Sequence, residues 1–450
     1  MEKKAENIRA LVIGLGRSGK AGAEALVNMG AEVDVYDSNE DIEKRDWAGS
    51  IGAAISFGER PVNVKGYDML VLSPGVPTDK EFIKEAEAEG TEVIGELELA
   101  YRYGNGKYVA ITGTNGKTTT TTLVGEIFKE AGKKTEVVGN IGVAVMTKAM
   151  DVDDDTYLVT ECSSFQLDTA VNFKPEISAV LNITPDHLDR HKTMENYANA
   201  KGKIFANQGP EEYCIYNYDD EIVRELVKNC KAKLIPFSRK REFECSSAYV
   251  KNGNIVVRDG KFIFVVCRDD ALKIPGLHNL ENALAAAAIS YFAGIKIDVI
   301  AKVLKTFKGV EHRIEDCGAV NGVKYINDSK GTNPDAAIKA VMSFRNILLI
   351  AGGYDKNSSF DEFVNAFDGR VKALLLMGKT ATKIKEAAEK AGFTDSIILK
   401  DMEACVREAY RIAQPGDVVL LSPACASWDM YTSFEQRGKH FKDCVQALER

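Results

Sequence analysis

The run Thr112-Gly113-Thr114-Asn115-Gly116-Lys117-Thr118-Thr119 follows directly on an apolar stretch, residues 108–111. A glycine-rich turn between a strand and a helix aims backbone N–H groups at an anion, and the start of the helix adds a favourable dipole. Lys117 would bring a point charge to β- and γ-phosphates, and Thr118 a hydroxyl to Mg2+. The loop departs from the full phosphate-loop pattern, because Ile111 stands where the leading glycine belongs. Gly113, Thr114, Asn115, Gly116, Lys117, Thr118 and Thr119 are therefore expected to bind a nucleotide.

A second glycine turn, Gly14-Leu15-Gly16-Arg17-Ser18-Gly19, lies near the N-terminus, with Asp37 about 20 residues on. It fits the dinucleotide fingerprint. That pattern requires only a diphosphate near a helix start, so NAD and a UDP group satisfy it equally, and a purely structural turn is a third reading.

These loops need strands and helices to hold them. In the first segment, apolar residues 10–13 read as a strand, an Ala-rich helix runs on to Met29, and a second strand ends at Asp37. A strand at 69–72 stops at Ser73-Pro74-Gly75, and a helix at 79–89 precedes a short strand at 93–94. The second segment has strands at 108–111, 157–160 and 179–181. Alternating pieces over 213–266, with turns at Asn252-Gly253 and Asp259-Gly260, suggest an antiparallel addition to the central sheet, and 278–291 reads as a helix. The third alternates again: strand 345–351, helix 362–367, strand 373–377, a helix, then strand 418–422. The reading is α/β with three domains, 1–97, 98–309 and 310–450, and ligands in the clefts between them.

Composition limits what these domains do. Of 450 residues, 45% are hydrophobic and 28% charged, with a formal net charge of −8. That balance disfavours a nucleic-acid binder, which needs concentrated Lys and Arg. The nine cysteines are scattered without a CxxC pair, which reads as reduced thiols and not as a zinc site. No secretion signal and no membrane-length apolar run is found, so the expectation is a soluble, cytoplasmic protein with no membrane partner. Nothing demands a dimer, and a monomer is the default.

Seven fragments in order carry a resemblance: TGTNGKTTTT (112–121), ECSSFQLD (161–168), NITPDHLDRH (182–191), YANAKGKIF (197–205), PGLHNLENALAA (275–286), NDSKGTNPDA (327–336) and LSPACASWDMYTSFEQRGKHF (421–441). Together with Glu311-His312-Arg313, they resemble the Mur ligase family, which also includes folylpolyglutamate synthetase. The N-terminal glycine turn (Gly14 to Gly19), Ser73-Pro74-Gly75 and the C-terminal run are most similar to its D-glutamate-adding branch. The resemblance implies an N-terminal Rossmann-like UDP-binding domain, a central P-loop ATPase-like domain and a C-terminal Rossmann-like domain. It also implies a reaction in peptidoglycan synthesis. ATP phosphorylates the carboxylate of UDP-N-acetylmuramoyl-L-alanine, and the amine of D-glutamate attacks the acyl phosphate. Several anions must approach closely, so metal ions and Lys or Arg must neutralise them.

Residue by residue, the resemblance places Lys117 on the phosphates and Thr118 and Glu161 on Mg2+. His187 is implied as a ligand or orienter of a second metal, and Lys201 as a carbamylated lysine that binds metal through its carbamate. The implied cofactors are ATP and Mg2+, two ions, with Mn2+ as the alternative. Asn279 and Asn282 match adenine and ribose contacts, Arg313 and Asp328 further ATP contacts, and Lys330 a group reaching phosphate or the intermediate. Such contacts would require the third domain to close onto the second. Thr332, Lys356, Ser427 and Phe434 match D-glutamate contacts, with Tyr354 and Asp355 unassigned. UDP would meet Gly16, Arg17, Ser18, Asp37, Ser38, Ser73 and Gly75, and the sugar–peptide portion Asn140 and His187. Rival readings are another ligase of the family, a nucleotide-binding regulator without chemistry, and an NAD-dependent oxidoreductase.

Overall fold

The computed structural model describes residues 5–61, 63–274, 276–354 and 358–448. It contains three sheets, and the chain divides into two compact units. The first unit comprises Met1–Ala271 with Glu281–Lys305, and the second Leu272–Leu280 with Thr306–Arg450.

The first unit holds two sheets. Its N-terminal sheet is wholly parallel, in the spatial order Ala54–Phe57, Glu32–Asp37, Arg9–Ile13, Met69–Leu72, Glu92–Gly95. The chain winds one way from Arg9–Ile13 and then the other, which makes the carboxyl ends of Arg9–Ile13 and Met69–Leu72 the switch point where such sheets bind ligands. Both faces are covered. Ala10 and Val12 enter one core cluster, Leu11 and Ile13 another, because successive side chains point to opposite faces.

The central sheet has nine strands. Lys107–Thr112 lies between Tyr157–Glu161 and Ile177–Val180, and all three are parallel. Thr135–Gly139 forms one edge beside Tyr157–Glu161. On the other side come Tyr213–Asn217, Lys233–Ser238 and Ser247–Lys251, still parallel, and only then the antiparallel Asn254–Asp259 and Phe262–Arg268. The expected antiparallel addition over 213–266 is thus confined to its last three strands. The earlier pieces connect through helices, such as Glu221–Leu226, and a helical crossover gives a parallel neighbour.

The second unit has six strands, in the order Glu315–Val320, Val323–Asn327, Val418–Leu421, Ile347–Ala351, Val371–Leu376, Ser396–Ile398. All pairs are parallel except the first hairpin. Leu349, Leu374 and Leu420 face one core cluster, and Leu348, Leu375 and Val419 the other, so helices cover both faces. Among the described residues no helix is long and apolar enough to cross a membrane.

Candidate functional site

The glycine-rich loop sits between the strand Lys107–Thr112 and the helix Lys117–Glu130. Gly116 caps that helix at φ 85°, and a Cβ there would lie 2.3 Å from Asn282 Oδ1. Glycine is required both by the left-handed backbone and by the space. The loop is pinned from below: Asn115 N–H donates to Asn182 Oδ1 at 2.8 Å, and the Thr114 hydroxyl donates to the Thr184 carbonyl at 3.1 Å. The first-turn N–H groups of the helix have no intrahelical partners, which is what an anion site needs. Thr118 and Thr119 are buried there.

Two lysines converge on one carbonyl. Lys117 Nζ donates to the Gly113 oxygen at 2.9 Å and Lys201 Nζ to the same oxygen at 2.8 Å. Lys201 comes from the helix Met194–Gly202, which Thr193 caps by accepting from Asn196 N–H. Tyr197 lies one turn earlier on the same face, and its ring centroid is 4.7 Å from Lys201 Nζ. Lys201 is 1% exposed. Burial, and then the charge of Lys117, hold its pKa well below that of an ordinary lysine, against the opposing pull of Asp186, Cys162 and Glu161.

Glu161 ends the strand Tyr157–Glu161, opposite Ile111 in register. Its Oε1 accepts from Asn140 Nδ2 at 2.8 Å, whereas its buried Oε2 has no hydrogen-bond partner among the described residues. A buried carboxylate oxygen without a donor is costly unless something positive meets it. A hard cation suits that oxygen. His187 stands at φ 53°, with its Nε2 3.6 Å from Asp186 Oδ2 and its ring edge-on to Phe165 at 4.7 Å.

At the N-terminal switch point, the Ser73 hydroxyl donates to the Gly14 carbonyl at 2.7 Å. Asp37 accepts from Leu15 N–H at 2.8 Å and Asn39 N–H at 3.0 Å and pairs with Lys44 at 2.9 Å. Those bonds hold its pKa below the ordinary value in spite of burial. The Asp37 carboxylate thus orders the glycine turn itself. A Cβ on Gly19 would fall 1.9 Å from the Gly14 oxygen, so Gly19 serves the packing of the turn. Gly16 and Gly75 have nothing within 4 Å of that position and leave their backbone open to a ligand. Ser18 lies in the first turn of the helix Arg17–Asn28, Arg17 donates to the Gly142 carbonyl, and Ser38 directly follows the strand Glu32–Asp37.

In the second unit Asp328 is fully buried, with Arg313 Nη1 3.3 Å from Oδ1 and the Ser422 hydroxyl donating to Oδ2 at 2.8 Å. Burial raises its pKa, and Arg313 opposes the rise. Lys330 Nζ lies 5.1 Å from the centroid of the Phe434 ring. Thr332 N–H donates to the Lys330 carbonyl, and Ser427 is buried. Asn279 and Asn282 are both buried on the helix Leu277–Phe292, and Asn282 Oδ1 accepts from the Thr120 hydroxyl at 3.3 Å. Lys356 and Asp355 lie outside the described residues.

Three families match successive parts of the chain: the Mur ligase MurD-like N-terminal domain over residues 8–95, the Mur ligase middle domain over 111–290, and the Mur ligase glutamate ligase domain over 312–425. The UDP-N-acetylmuramoylalanine–D-glutamate ligase of Caldanaerobacter subterraneus subsp. tengcongensis is 51% identical over 98% of this chain and 99% of its own. The ligase of the same name from Alkaliphilus oremlandii is 52% identical over the full length of both. The chain belongs to the Mur ligase family. The solved structure of a pseudomurein peptide ligase type C from Methanothermus fervidus has the same fold, at a TM-score of 0.60 and 19% identity, covering 98% of this chain and all of that one. A MurF ligase from Thermotoga maritima in complex with ADP gives 0.59 at 15%, over 98% and 96%.

Mur ligases use ATP, generally with Mg2+. This Mur ligase also contains organising residues that sequence reasoning missed. Arg437 is 1% exposed; it donates to the Ser329 hydroxyl at 3.0 Å and to the carbonyls of Ser329, Cys425 and Ala426 at 2.8, 3.1 and 3.2 Å. It thereby ties together the segments carrying Lys330, Ser427 and Phe434, and burial lowers its pKa to about 10. Arg190 reaches the turn after Ser73. Glu311, His312 and Glu315 present ligand atoms within 4.8 Å of one another, but Lys442 pairs with both carboxylates and fills that role.

Proposed function

We propose that this chain joins D-glutamate to UDP-N-acetylmuramoyl-L-alanine at the expense of ATP, through an acyl phosphate, in the synthesis of peptidoglycan precursors. The observation that carries the reading is an intact loop, a buried lysine and a carboxylate oxygen without a partner among the described residues, in a chain about half identical, end to end, to ligases of that name.

A carboxylate oxygen of the alanyl group attacks the γ-phosphorus of ATP, and ADP leaves. The amine of D-glutamate then attacks the acyl carbon, the tetrahedral intermediate expels phosphate, and the nitrogen gives up its proton. Lys117 holds the phosphates. Thr118, Glu161 and His187 hold the metal, with two Mg2+ ions as the reading and Mn2+ as a substitute. The metal supplies charge neutralisation where anions crowd. Lys201 is carbamylated: its neutral amine attacks CO2 and a proton leaves, and the resulting anion would be the group through which Lys201 holds the metal. Burial of Lys201 beside Lys117 favours that neutral amine, which supports the assignment.

Gly113 to Thr119, Asn279, Asn282, Arg313 and Asp328 bind ATP. Lys330 reaches phosphate or the intermediate. Gly16, Arg17, Ser18, Asp37, Ser38, Ser73, Gly75, Asn140 and His187 bind the UDP substrate, with Asp37 acting through the glycine turn that it orders. Thr332, Lys356, Ser427 and Phe434 bind D-glutamate. The domains run 1–97, 98–309 and 310–450, and the protein works as a cytoplasmic monomer. Phosphate release from ATP with Mg2+ and UDP-N-acetylmuramoyl-L-alanine tests the reading, comparing D-glutamate, L-glutamate, L-alanine, L-lysine and meso-diaminopimelate. Release that requires D-glutamate supports it; release with another amino acid moves the chain to a different substrate, and none with any pair rejects ligase activity.

A further inference from the structure

Arg190 lies in the short helix Leu188–His191, which is bounded by two residues with left-handed backbone, His187 at φ 53° and Lys192 at φ 67°. Two such residues around one turn leave the segment little freedom. The Arg190 guanidinium spans to a different sheet. Its Nη1 donates to the Pro74 carbonyl at 3.0 Å and its Nη2 to the Val76 carbonyl at 2.8 Å. The turn that carries those carbonyls is closed within itself by Val76 N–H donating to the Ser73 carbonyl at 2.9 Å, and anchored by the Ser73 hydroxyl on Gly14. The two outward carbonyls therefore form a fixed pair of acceptors matched to a planar fork.

The same guanidinium also lies over the Phe165 ring, its Cζ 4.5 Å from the ring centroid. Phe165 also receives the His187 ring edge-on at 4.7 Å and stacks on the His191 ring at 5.5 Å. Its helix, Ser164–Asp168, is fixed by a reciprocal cap between Ser163 and Gln166. The Thr78 hydroxyl donates to Asp168 at 3.5 Å, a longer link from the residues after that turn to the helix that carries Phe165. A continuous series of contacts thus runs from the turn at Ser73–Val76 through Arg190 and Phe165 to His187.

We infer that Arg190 is a positioning residue for the UDP substrate: it holds the turn containing Ser73 and Gly75 at a fixed distance from His187, so that one nucleotide-sugar can meet both. The inference rests on the ligase reading above. Arg190 meets the turn at Ser73–Val76 directly and His187 only through Phe165, so its loss falls mainly on the UDP substrate. Lysine supplies one donor point in place of a fork and cannot bridge both carbonyls while staying over Phe165.

The test is equilibrium binding of UDP-N-acetylmuramoyl-L-alanine and, separately, of ATP with Mg2+, by calorimetry, to the wild type, Arg190→Met and Arg190→Lys, with the three KM values and the melting temperature alongside. The expected result is at least tenfold weaker binding of the UDP substrate in Arg190→Met and an intermediate loss in Arg190→Lys. ATP affinity and the KM for D-glutamate should stay within twofold. UDP-substrate binding at wild-type strength in Arg190→Met overturns the inference and leaves the ligase reading intact. So does an equal loss of ATP affinity with a large fall in melting temperature, which would make Arg190 a general brace. Wild-type protein that binds no UDP substrate overturns the ligase reading and the inference with it.

Discussion

Gly116→Ala is the perturbation whose cost can be worked most directly from the geometry. The backbone at Gly116 is left-handed, which costs an L-residue about 1–2 kcal/mol. The new Cβ would also stand 2.3 Å from Asn282 Oδ1, so the amide must move and give up the Thr120 hydroxyl. A lost hydrogen bond of that kind costs about 0.5–1.5 kcal/mol. The single variant is therefore destabilised by about 1.5–3.5 kcal/mol, which corresponds to roughly 3–14 °C in melting temperature for a domain of this size. In an Asn282→Ala background the clash is gone and only the backbone term remains, about 1–2 kcal/mol. A double-mutant cycle by thermal unfolding should then return a coupling of about 1 kcal/mol between the two sites. The KM for ATP should rise in Gly116→Ala, because the displaced Asn282 is assigned to the nucleotide. Strict additivity, or a Gly116→Ala protein as stable as the wild type, would refute the claim that Asn282 packs on the loop and fixes it as glycine.

Four further perturbations have defined outcomes. Glu161→Gln should raise the Mg2+ concentration for half-maximal activity by about tenfold or more, with little change in melting temperature, since Oε2 has no protein partner to lose among the described residues; an unchanged metal titration would remove Glu161 from the metal site. Lys201→Ala should lose activity and regain part of it with added formate or acetate, and a variant indifferent to short carboxylates would reject the carbamate. Arg437→Met strands the acceptors at Ser329, Cys425 and Ala426, and should destabilise by about 3 kcal/mol or more in urea unfolding; a neutral result would mean those segments hold together without it. Glu96 is buried, and burial lifts its pKa to about 7. A raised folded-state pKa contributes stability that is full below the ordinary value of 4.5 and is lost as pH rises towards 7, here about 3 kcal/mol. Glu96→Gln should flatten that slope between pH 4.5 and 7, and parallel pH profiles for the two proteins would contradict the assignment.

What the sequence made legible follows from how local each signal is. The phosphate loop could be read because strand, glycines, lysine and threonine are contiguous, and the helix-start physics needs nothing else. The central parallel strands could be read because burial on both faces turns them into apolar runs, as at Lys107–Thr112 and Met69–Leu72. Strands such as Ala54–Phe57, Thr135–Gly139 and Ser396–Ile398 were missed. They are short and lie at sheet edges, with intermediate or exposed positions, so neither a long apolar run nor a clean alternation marks them. The direction of Tyr213–Asn217 and Lys233–Ser238 was misjudged for a related reason: alternation reports a half-buried face and carries no information about which way the neighbour runs.

The side chains that organise the site are a harder case. Arg190 makes its bonds to residues 116 and 114 positions away, and Arg437 bonds to Ser329 across 108. In a linear reading each is one arginine among many, and a solvated surface is the ordinary fate of that residue. Lys201 shares the difficulty. Its position four residues after Tyr197 suggests a common face, but the burial that disfavours its ammonium arises only when the loop at Gly113 closes over it. Chemistry borne by contiguous backbone is therefore legible in the residues themselves, whereas a single side chain such as Lys201 is singled out only by the family resemblance, and its desolvation only by the fold. The same division separates the two kinds of test above. In Gly116→Ala the left-handed backbone is the local cost and the clash with Asn282 the distant one, whereas Arg190→Met should fail wholly through partners far away in the chain.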